Sequence, residues 1–289
     1  MALSLVNGLV SDQLNTADRG LSYGDGIFET IQISAGKALL WDAHLARLEL
    51  GANRLKIPFN KSLVKAFTSD MHALLANAED TLKQRSVLKL TLTRGIGKRG
   101  YKADPCAVPT RITSLSAMPD MSEKQRLGID VVICETRLAR QPLLSGIKHL
   151  NRLEQVIARS EWDDELITEG IVCDTQDNVI EGCMSNLFWF RQGVLYTPDL
   201  TYAGVAGVVR DKLINLCEAK KIARIEQGEF SVNHLLGADH VFVCNSVFNI
   251  LPVVRIRNAL DHSELAQYTI GTQIQELQGY LQLYYLKDA

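Results

Sequence analysis

The cleanest hydrophobic pattern in the chain is Val87-Leu88-Lys89-Leu90-Thr91-Leu92-Thr93, where apolar and polar residues alternate. A period of two puts successive side chains on opposite faces, so this run predicts a strand with one wet face. Related patterns predict strands over 3–10, Gly26–Ser34, 38–41 and Thr110–Ala117. Between them, Leu45, Leu48, Ala52 and Leu55 recur at helical spacing within 42–55, and a second helix is predicted over 62–76. Short strands are expected next at 129–135, 165–173, 179–181, 187–191 and 194–197, with turns at Thr175-Gln176-Asp177-Asn178 and Arg191-Gln192-Gly193. A helix over 207–220, strands at 223–226 and 240–245, and a closing helix over 263–281 complete the pattern. Within 146–159, Leu150, Leu153 and Ile157 fall on one face of a predicted amphipathic helix, with Lys148 at its mouth.

Periodicity is lost at Met118-Pro119-Asp120-Met121-Ser122-Glu123-Lys124, the expected linker 118–124 between a domain of residues 1–117 and one of residues 125–289. The mixed order of elements makes the expected class α+β. With 46% hydrophobic and 22% charged residues in 289, the chain has the composition of an ordinary globular protein. A formal net charge of -2 gives no general attraction to nucleic acid or an anionic membrane, so neither partner is expected. Six cysteines lack C-x-x-C spacing and sit mostly in apolar runs, which reads as reduced core thiols in a cytoplasmic protein. No basic, apolar leader opens the chain and no apolar run reaches the ~18 to 20 residues that span a bilayer, so neither secretion nor insertion is expected. His44, His72, His149, His234, His240 and His262 show no ligand spacing, so no metal is expected.

Three segments suggest chemistry. Lys148 lies between Leu143-Leu144-Ser145-Gly146-Ile147 and the apolar stripe that follows, where desolvation would favour its neutral amine and attack on an aldehyde. Glu181, in Val179-Ile180-Glu181-Gly182, has apolar flanks that make it a candidate buried carboxylate; on spacing alone a solvated hairpin Glu fits as well. Tyr202-Ala203-Gly204-Val205-Ala206-Gly207-Val208-Val209-Arg210 places small residues before a helix start, where outward amides can cradle a phosphate or simply form a loop-to-helix junction. A phosphorylated aldehyde cofactor makes sense of the lysine and the cradle together.

These segments, with Asp18-Arg19-Gly20-Leu21-Ser22-Tyr23-Gly24-Asp25-Gly26-Ile27-Phe28-Glu29-Thr30, Asp42-Ala43-His44-Leu45-Ala46-Arg47-Leu48 and Cys244-Asn245-Ser246-Val247, resemble the fold-type IV pyridoxal-phosphate enzymes. The resemblance runs over essentially the whole chain. Within that family, Lys148-His149-Leu150-Asn151-Arg152-Leu153-Glu154 and Arg94-Gly95-Ile96-Gly97-Lys98-Arg99-Gly100-Tyr101 are typical of the aminodeoxychorismate lyases. The resemblance implies a small α/β domain plus a larger domain with a barrel-like β core. It implies pyridoxal 5'-phosphate as cofactor, with Lys148 as Schiff-base lysine and proton shuttle. Glu181 would face the pyridine nitrogen, while Arg47, Val205, Ala206, Gly207, Asn245 and Ser246 would complete the cofactor site. Thr30, Arg94, Arg99, Tyr101 and Arg152 are the candidate substrate residues; Arg152 is left open between the cofactor's phenolic oxygen, a substrate carboxylate and Glu154. The reaction implied is conversion of 4-amino-4-deoxychorismate to 4-aminobenzoate and pyruvate in folate synthesis, by a homodimer in transient contact with aminodeoxychorismate synthase. A D-amino-acid or branched-chain aminotransferase, and a non-catalytic pyridoxal-phosphate carrier, are the alternatives.

Overall fold

The computed structural model describes residues 3–288. Contacts divide the chain into two compact units: one holds the chain up to Pro119 together with Ile147–Asn151, the other Asp120–Gly146 and Arg152–Lys287.

The first unit begins with β1 (Leu3–Val6) and β2 (Leu9–Val10), then α1 (Arg19–Tyr23), β3 (Gly26–Ser34), β4 (Lys37–Ala38), α2 (Trp41–Leu55), α3 (Lys61–Asn77), α4 (Asp80–Gln84), β5 (Arg85–Thr93) and β6 (Thr110–Ala117). The single strand expected over 3–10 is a hairpin, because Asn7 and Gly8 adopt φ of 51° and 87° and form a two-residue turn. The six strands make one antiparallel sheet in the order β2-β1-β6-β5-β3-β4. Alternation along β3 buries Ile27, Ile31 and Ile33, which join Leu45 and Leu48 of α2, Phe67 and Leu74 of α3 and Leu88, Leu90 and Leu92 of β5 in one core. Glu29 shares the phase of those isoleucines and is buried with them. The α3 helix starts at Asn60, whose side chain accepts the Leu63 N–H at 3.0 Å.

The second unit runs α5 (Ser122–Leu127), β7 (Ile129–Leu138), α6 (Leu153–Arg159), β8 (Ile167–Asp174), β9 (Val179–Gly182), β10 (Asn186–Arg191), β11 (Val194–Pro198), α7 (Val208–Lys220), β12 (Arg224–Gly228), α8 (Val232–Leu236), β13 (His240–Asn245), β14 (Asn249–Asn258), β15 (Glu264–Gln267) and α9 (Thr272–Asp288). Successive pairing of β10, β13, β14, β7, β8 and β9 closes on itself where β9 pairs β10 at Glu181 and Asn186, which gives the barrel-like core. Ile129, Val131, Ile171, Val179, Leu187, Trp189, Val241 and Val253 pack together in it, whereas Val132, Cys134, Val172 and Ile180 pack with Ala158 and Trp162 in a second cluster. Parallel pairing of β7 with both β14 and β8 explains why β7 is apolar on both faces.

Three expectations are corrected here. The closing helix expected from 263 is β15 followed by α9 from Thr272. The helix expected to open at Lys148 is confined to Leu153–Arg159; Lys148 precedes it outside any helix, and Leu153 and Ile157 are 74% and 58% exposed rather than packed over the lysine. Cys106 is exposed, unlike the buried Cys134, Cys173, Cys217 and Cys244. Among the described residues, no helix is long and apolar enough to cross a membrane.

Candidate active site

In the first unit, Lys148 is fixed by the edge of β3. The Phe28 N–H donates to the Lys148 carbonyl and the Leu150 N–H to the Gly26 carbonyl, both at 2.9 Å, and Ile27 bridges His149. Gly26 permits this approach, since a Cβ there would lie 2.6 Å from the Leu92 carbonyl oxygen and 2.7 Å from Leu150 Cδ1. The Lys148 Nζ lies 4.6 Å from the centroid of the Phe28 ring, and Lys89 Nζ lies 5.2 Å from the same centroid. Each such contact is worth roughly 0.5–1 kcal/mol at an exposed site, and two cationic side chains against one ring make a setting that suits an anion. Lys89 was not singled out from the sequence, where the alternation of β5 makes it look like an ordinary wet-face lysine. Thr30, half-buried, shares the face of β3 that carries Phe28 and lies opposite Lys89 in the sheet.

Arg47 belongs to a buried cluster with Glu29 and His44. Its Nε donates to Glu29 Oε1 at 2.8 Å and its Nη2 to Glu29 Oε2 at 2.5 Å, while His44 Nδ1 lies 2.6 Å from Glu29 Oε2. Burial pushes the Glu29 carboxyl up, but the charge and hydrogen bonds of Arg47, helped by His44, bring it down to about 2. Burial also holds His44 below its usual range, so the ring is neutral and donates through Nδ1 to the carboxylate. That tautomer leaves Nε2 as a buried acceptor with no partner among the described residues.

In the glycine-rich segment after β5, Arg94 does not take the place expected of a substrate residue. Arg94 points inward: its Nε and Nη2 donate to Asp25 at 2.7 and 3.0 Å, and its Nη1 and Nη2 to the carbonyls of Lys56 and Leu55 at 2.7 Å. These bonds make it a framework residue, not a ligand for a substrate carboxylate. Arg19 donates to Asp25 at 2.9 Å and to the carbonyls of Gly100 and Tyr101 at 2.9 and 3.0 Å, which ties the segment to α1. Asp25 is raised by burial but brought net below its ordinary range by Arg94 and Arg19. Lys98, Arg99, Tyr101 and Lys102 remain exposed, with Tyr101 edge-on to Tyr23 at 5.5 Å.

In the second unit, Glu181 is 4% exposed at the seam that closes the barrel. Its Oε2 accepts the Val205 N–H at 2.8 Å, and Asn186 Nδ2 donates to the Val205 carbonyl at 2.8 Å. The Ala206 N–H donates to the Gly146 carbonyl at 3.0 Å. The amides of Val205 and Ala206 are thus spent on protein oxygens, which corrects their expected role on a phosphate. An anion cradle at this point falls one step later, on Gly207 at the cap of α7 and on Val208, Val209 and Arg210, whose N–H groups have no partner inside the helix. Gly204, at φ +86°, and Gly207 keep the turn tight, because a Cβ at Gly204 would lie 2.8 Å from Ile180 Cγ2 and one at Gly207 would run into Asn186 Oδ1.

Arg152 is lowered by desolvation and raised first by the charge of Glu181 and then by that of Glu154. Of the partners left open for it, Glu154 is turned to the Ala139 N–H at 2.9 Å. Asn245 shapes its own turn, its Oδ1 accepting the N–H groups of Val247 and Phe248 at 2.8 and 2.9 Å and its Nδ2 donating to the Met184 carbonyl at 3.0 Å; Ser246 is half-buried on that turn. Glu169, 1% exposed, was not anticipated. It accepts from Ser185 Oγ at 2.8 Å and from the Gly170 N–H at 3.0 Å, yet burial pushes it up to about 7.

Residues 26–256, which include Lys148, Glu181, Arg47 and the start of α7, match the family model described as amino-transferase class IV. The chain belongs to the class IV aminotransferase family. Among relatives in this family, the aminodeoxychorismate lyase of Vibrio harveyi is 36% identical over 96% of this chain and 98% of its own length. The crystal structure of 4-amino-4-deoxychorismate lyase from Pseudomonas aeruginosa has 40% sequence identity and a TM-score of 0.87, covering 96% of this chain and 98% of that one. A putative branched-chain-amino-acid aminotransferase of Methanocaldococcus jannaschii is 28% identical over 87% of this chain and 86% of its own.

Proposed function

We propose that this class IV family member is a pyridoxal-phosphate-dependent lyase that converts 4-amino-4-deoxychorismate to 4-aminobenzoate and pyruvate in folate synthesis. The observation that carries the reading is the likeness, over nearly the full length, to two lyases of that name. The residues present fit the cofactor. Glu181 is a buried carboxylate suited to a protonated ring nitrogen, and the α7 start with Gly207 is suited to a phosphate. Arg47 supplies a guanidinium, and His44 a buried acceptor without a partner among the described residues. When bound, pyridoxal phosphate supplies an electron sink for the charge left by C–H cleavage.

The chain's own groups do the rest. Lys148 Nζ would hold the cofactor through its aldehyde. With substrate in place, the Lys148 amine would accept the proton from the ring carbon bearing the substrate amine and return it to the enolpyruvyl group as the C–O bond breaks and the ring becomes aromatic. One amine serving both transfers keeps the proton path short. Glu181 would stabilise the positive charge of the ring nitrogen, and its field at Arg152 supports a role for that arginine beside the cofactor. The substrate carries two carboxylates, for which Lys89, Arg99 and Lys102 provide cations and Tyr101 a ring surface. Exposed Leu143, Leu153, Val156 and Ile157 support a homodimer, and the buried free thiols support a reducing cytoplasm.

The test combines reductive trapping with an exchange assay. Borohydride reduction of the protein with pyridoxal phosphate should fix the cofactor on the peptide containing Lys148. Labelling elsewhere overturns the role of that lysine. Exchange between D-alanine or branched-chain amino acids and 2-oxo acids that outpaces 4-aminobenzoate release would replace the lyase reading with a transaminase.

A further inference from the structure

We propose that Glu29, backed by His44, is the positioning device for the anion-binding arginine Arg47, so that selectivity for the phosphorylated form of the cofactor depends on two residues that do not touch it. The proposal rests on the pyridoxal-phosphate reading and adds residues to it. Glu29 occupies a core phase of β3, where Ile27, Ile31 and Ile33 lie, and a carboxylate there is costly unless its charge is matched. It is matched side-on: Arg47 Nε and Nη2 take one carboxylate oxygen each, at 2.8 and 2.5 Å. Two parallel bonds fix the plane and roll of a guanidinium, which a single bond does not.

His44 fixes the carboxylate in turn. It lies one helical turn before Arg47 on α2, and its Nδ1 is 2.6 Å from Glu29 Oε2, the oxygen that also accepts from Arg47 Nη2. The neutral ring donates there without adding a second positive charge. The strand itself links the two ends of the chemistry. Phe28 binds the Lys148 backbone through its N–H at 2.9 Å, and the next residue, Glu29, holds Arg47. A shift of β3 therefore moves lysine and arginine together, and the distance between aldehyde and phosphate ends is built into one backbone.

The test titrates pyridoxal 5'-phosphate and pyridoxal, which share the aldehyde and differ in the phosphate, into the wild-type chain and into Glu29→Gln, His44→Ala and His44→Asn, following the visible absorption of bound cofactor. Glu29→Gln should weaken pyridoxal phosphate by about 10- to 100-fold, as loss of charge-assisted bonds implies, and leave pyridoxal binding unchanged. His44→Ala should act in the same direction and His44→Asn, whose amide retains a donor towards Glu29, should restore most of the ratio. Equal losses for both ligands would mean a merely structural role, and tighter pyridoxal phosphate binding by Glu29→Gln would mean that Glu29 neutralises Arg47; either overturns the proposal. Should Glu29→Gln fail to fold, a His44→Ala ratio equal to wild type overturns it equally. If the wild-type chain binds neither aldehyde, the cofactor reading falls and takes this proposal with it; wild-type binding with unchanged variant ratios removes the positioning role alone.

Discussion

Asp25→Asn is the most informative perturbation of the framework. The Asp25 carboxylate accepts Arg19 Nε at 2.9 Å and Arg94 Nε and Nη2 at 2.7 and 3.0 Å, and the two arginines are 5% and 8% exposed. Removing its charge leaves two buried guanidinium groups against a neutral amide, and breaking a buried pair in this way costs about 3–5 kcal/mol. Arg19 keeps its bonds to Gly100 and Tyr101, and Arg94 keeps those to Leu55 and Lys56, so the low end, about 3 kcal/mol, is expected. Urea unfolding followed by fluorescence should show that loss, in the first unit's transition if the units unfold separately. Because the Asp25 pKa is depressed below its ordinary 3.8, its contribution is present above that pH and is lost as pH falls through the folded value; the gap between wild type and variant should therefore close in acid. The same change loosens Arg19's hold on the 94–102 segment, so KM for the lyase substrate should rise. A loss under ~1 kcal/mol at pH 7 would refute the claim that these arginines depend on Asp25.

Glu169, at about 7 against an ordinary 4.5, holds a proton in the folded chain that the unfolded chain has released, so its contribution falls as pH rises from 4.5 to 7, by ~3 kcal/mol. The difference in unfolding free energy between wild type and Glu169→Gln should carry that slope, and a difference flat across the window would contradict it. Gly207→Ala drives a Cβ into Asn186 Oδ1 and should cost about 1–3 kcal/mol and weaken cofactor binding; wild-type stability with wild-type binding would show that the turn gives way freely. Arg99→Ala, at an exposed position, should raise KM with unfolding unchanged, whereas Arg94→Lys should destabilise because a lysine cannot replace the four hydrogen bonds of its guanidinium. Interchanged effects in steady-state kinetics and urea melts would reverse their assignments.

Periodicity made several elements legible. β3 and β6 coincide with their expected limits, and α2 and α3 begin and end within a residue of theirs, because each has one apolar face and a local stop such as Lys56 in the left-handed conformation. β14 was hidden: Pro252 interrupts its pattern and Arg255 and Arg257 make its end look like loop, although both arginines reach Asp130 of β7 once the barrel forms. The helical reading of 148–152 failed because its apolar residues answer to β3 and not to a helix face; Leu150 packs at Gly26. Arg94 shows the limit of composition, since charge among glycines is the same string whether it faces water or Asp25. Glu29 was the opposite case. A carboxylate in phase with Ile27, Ile31 and Ile33 is a visible break in the pattern, but its partners, Arg47 and His44, come from another element and needed the fold.

The most direct measurement supplies the purified chain and its Lys148→Ala variant with pyridoxal phosphate and freshly generated 4-amino-4-deoxychorismate, and follows 4-aminobenzoate and pyruvate together. Equimolar release by the native chain, with the variant near background, is the expected result. Native protein that binds the cofactor and releases neither product would contradict the lyase assignment.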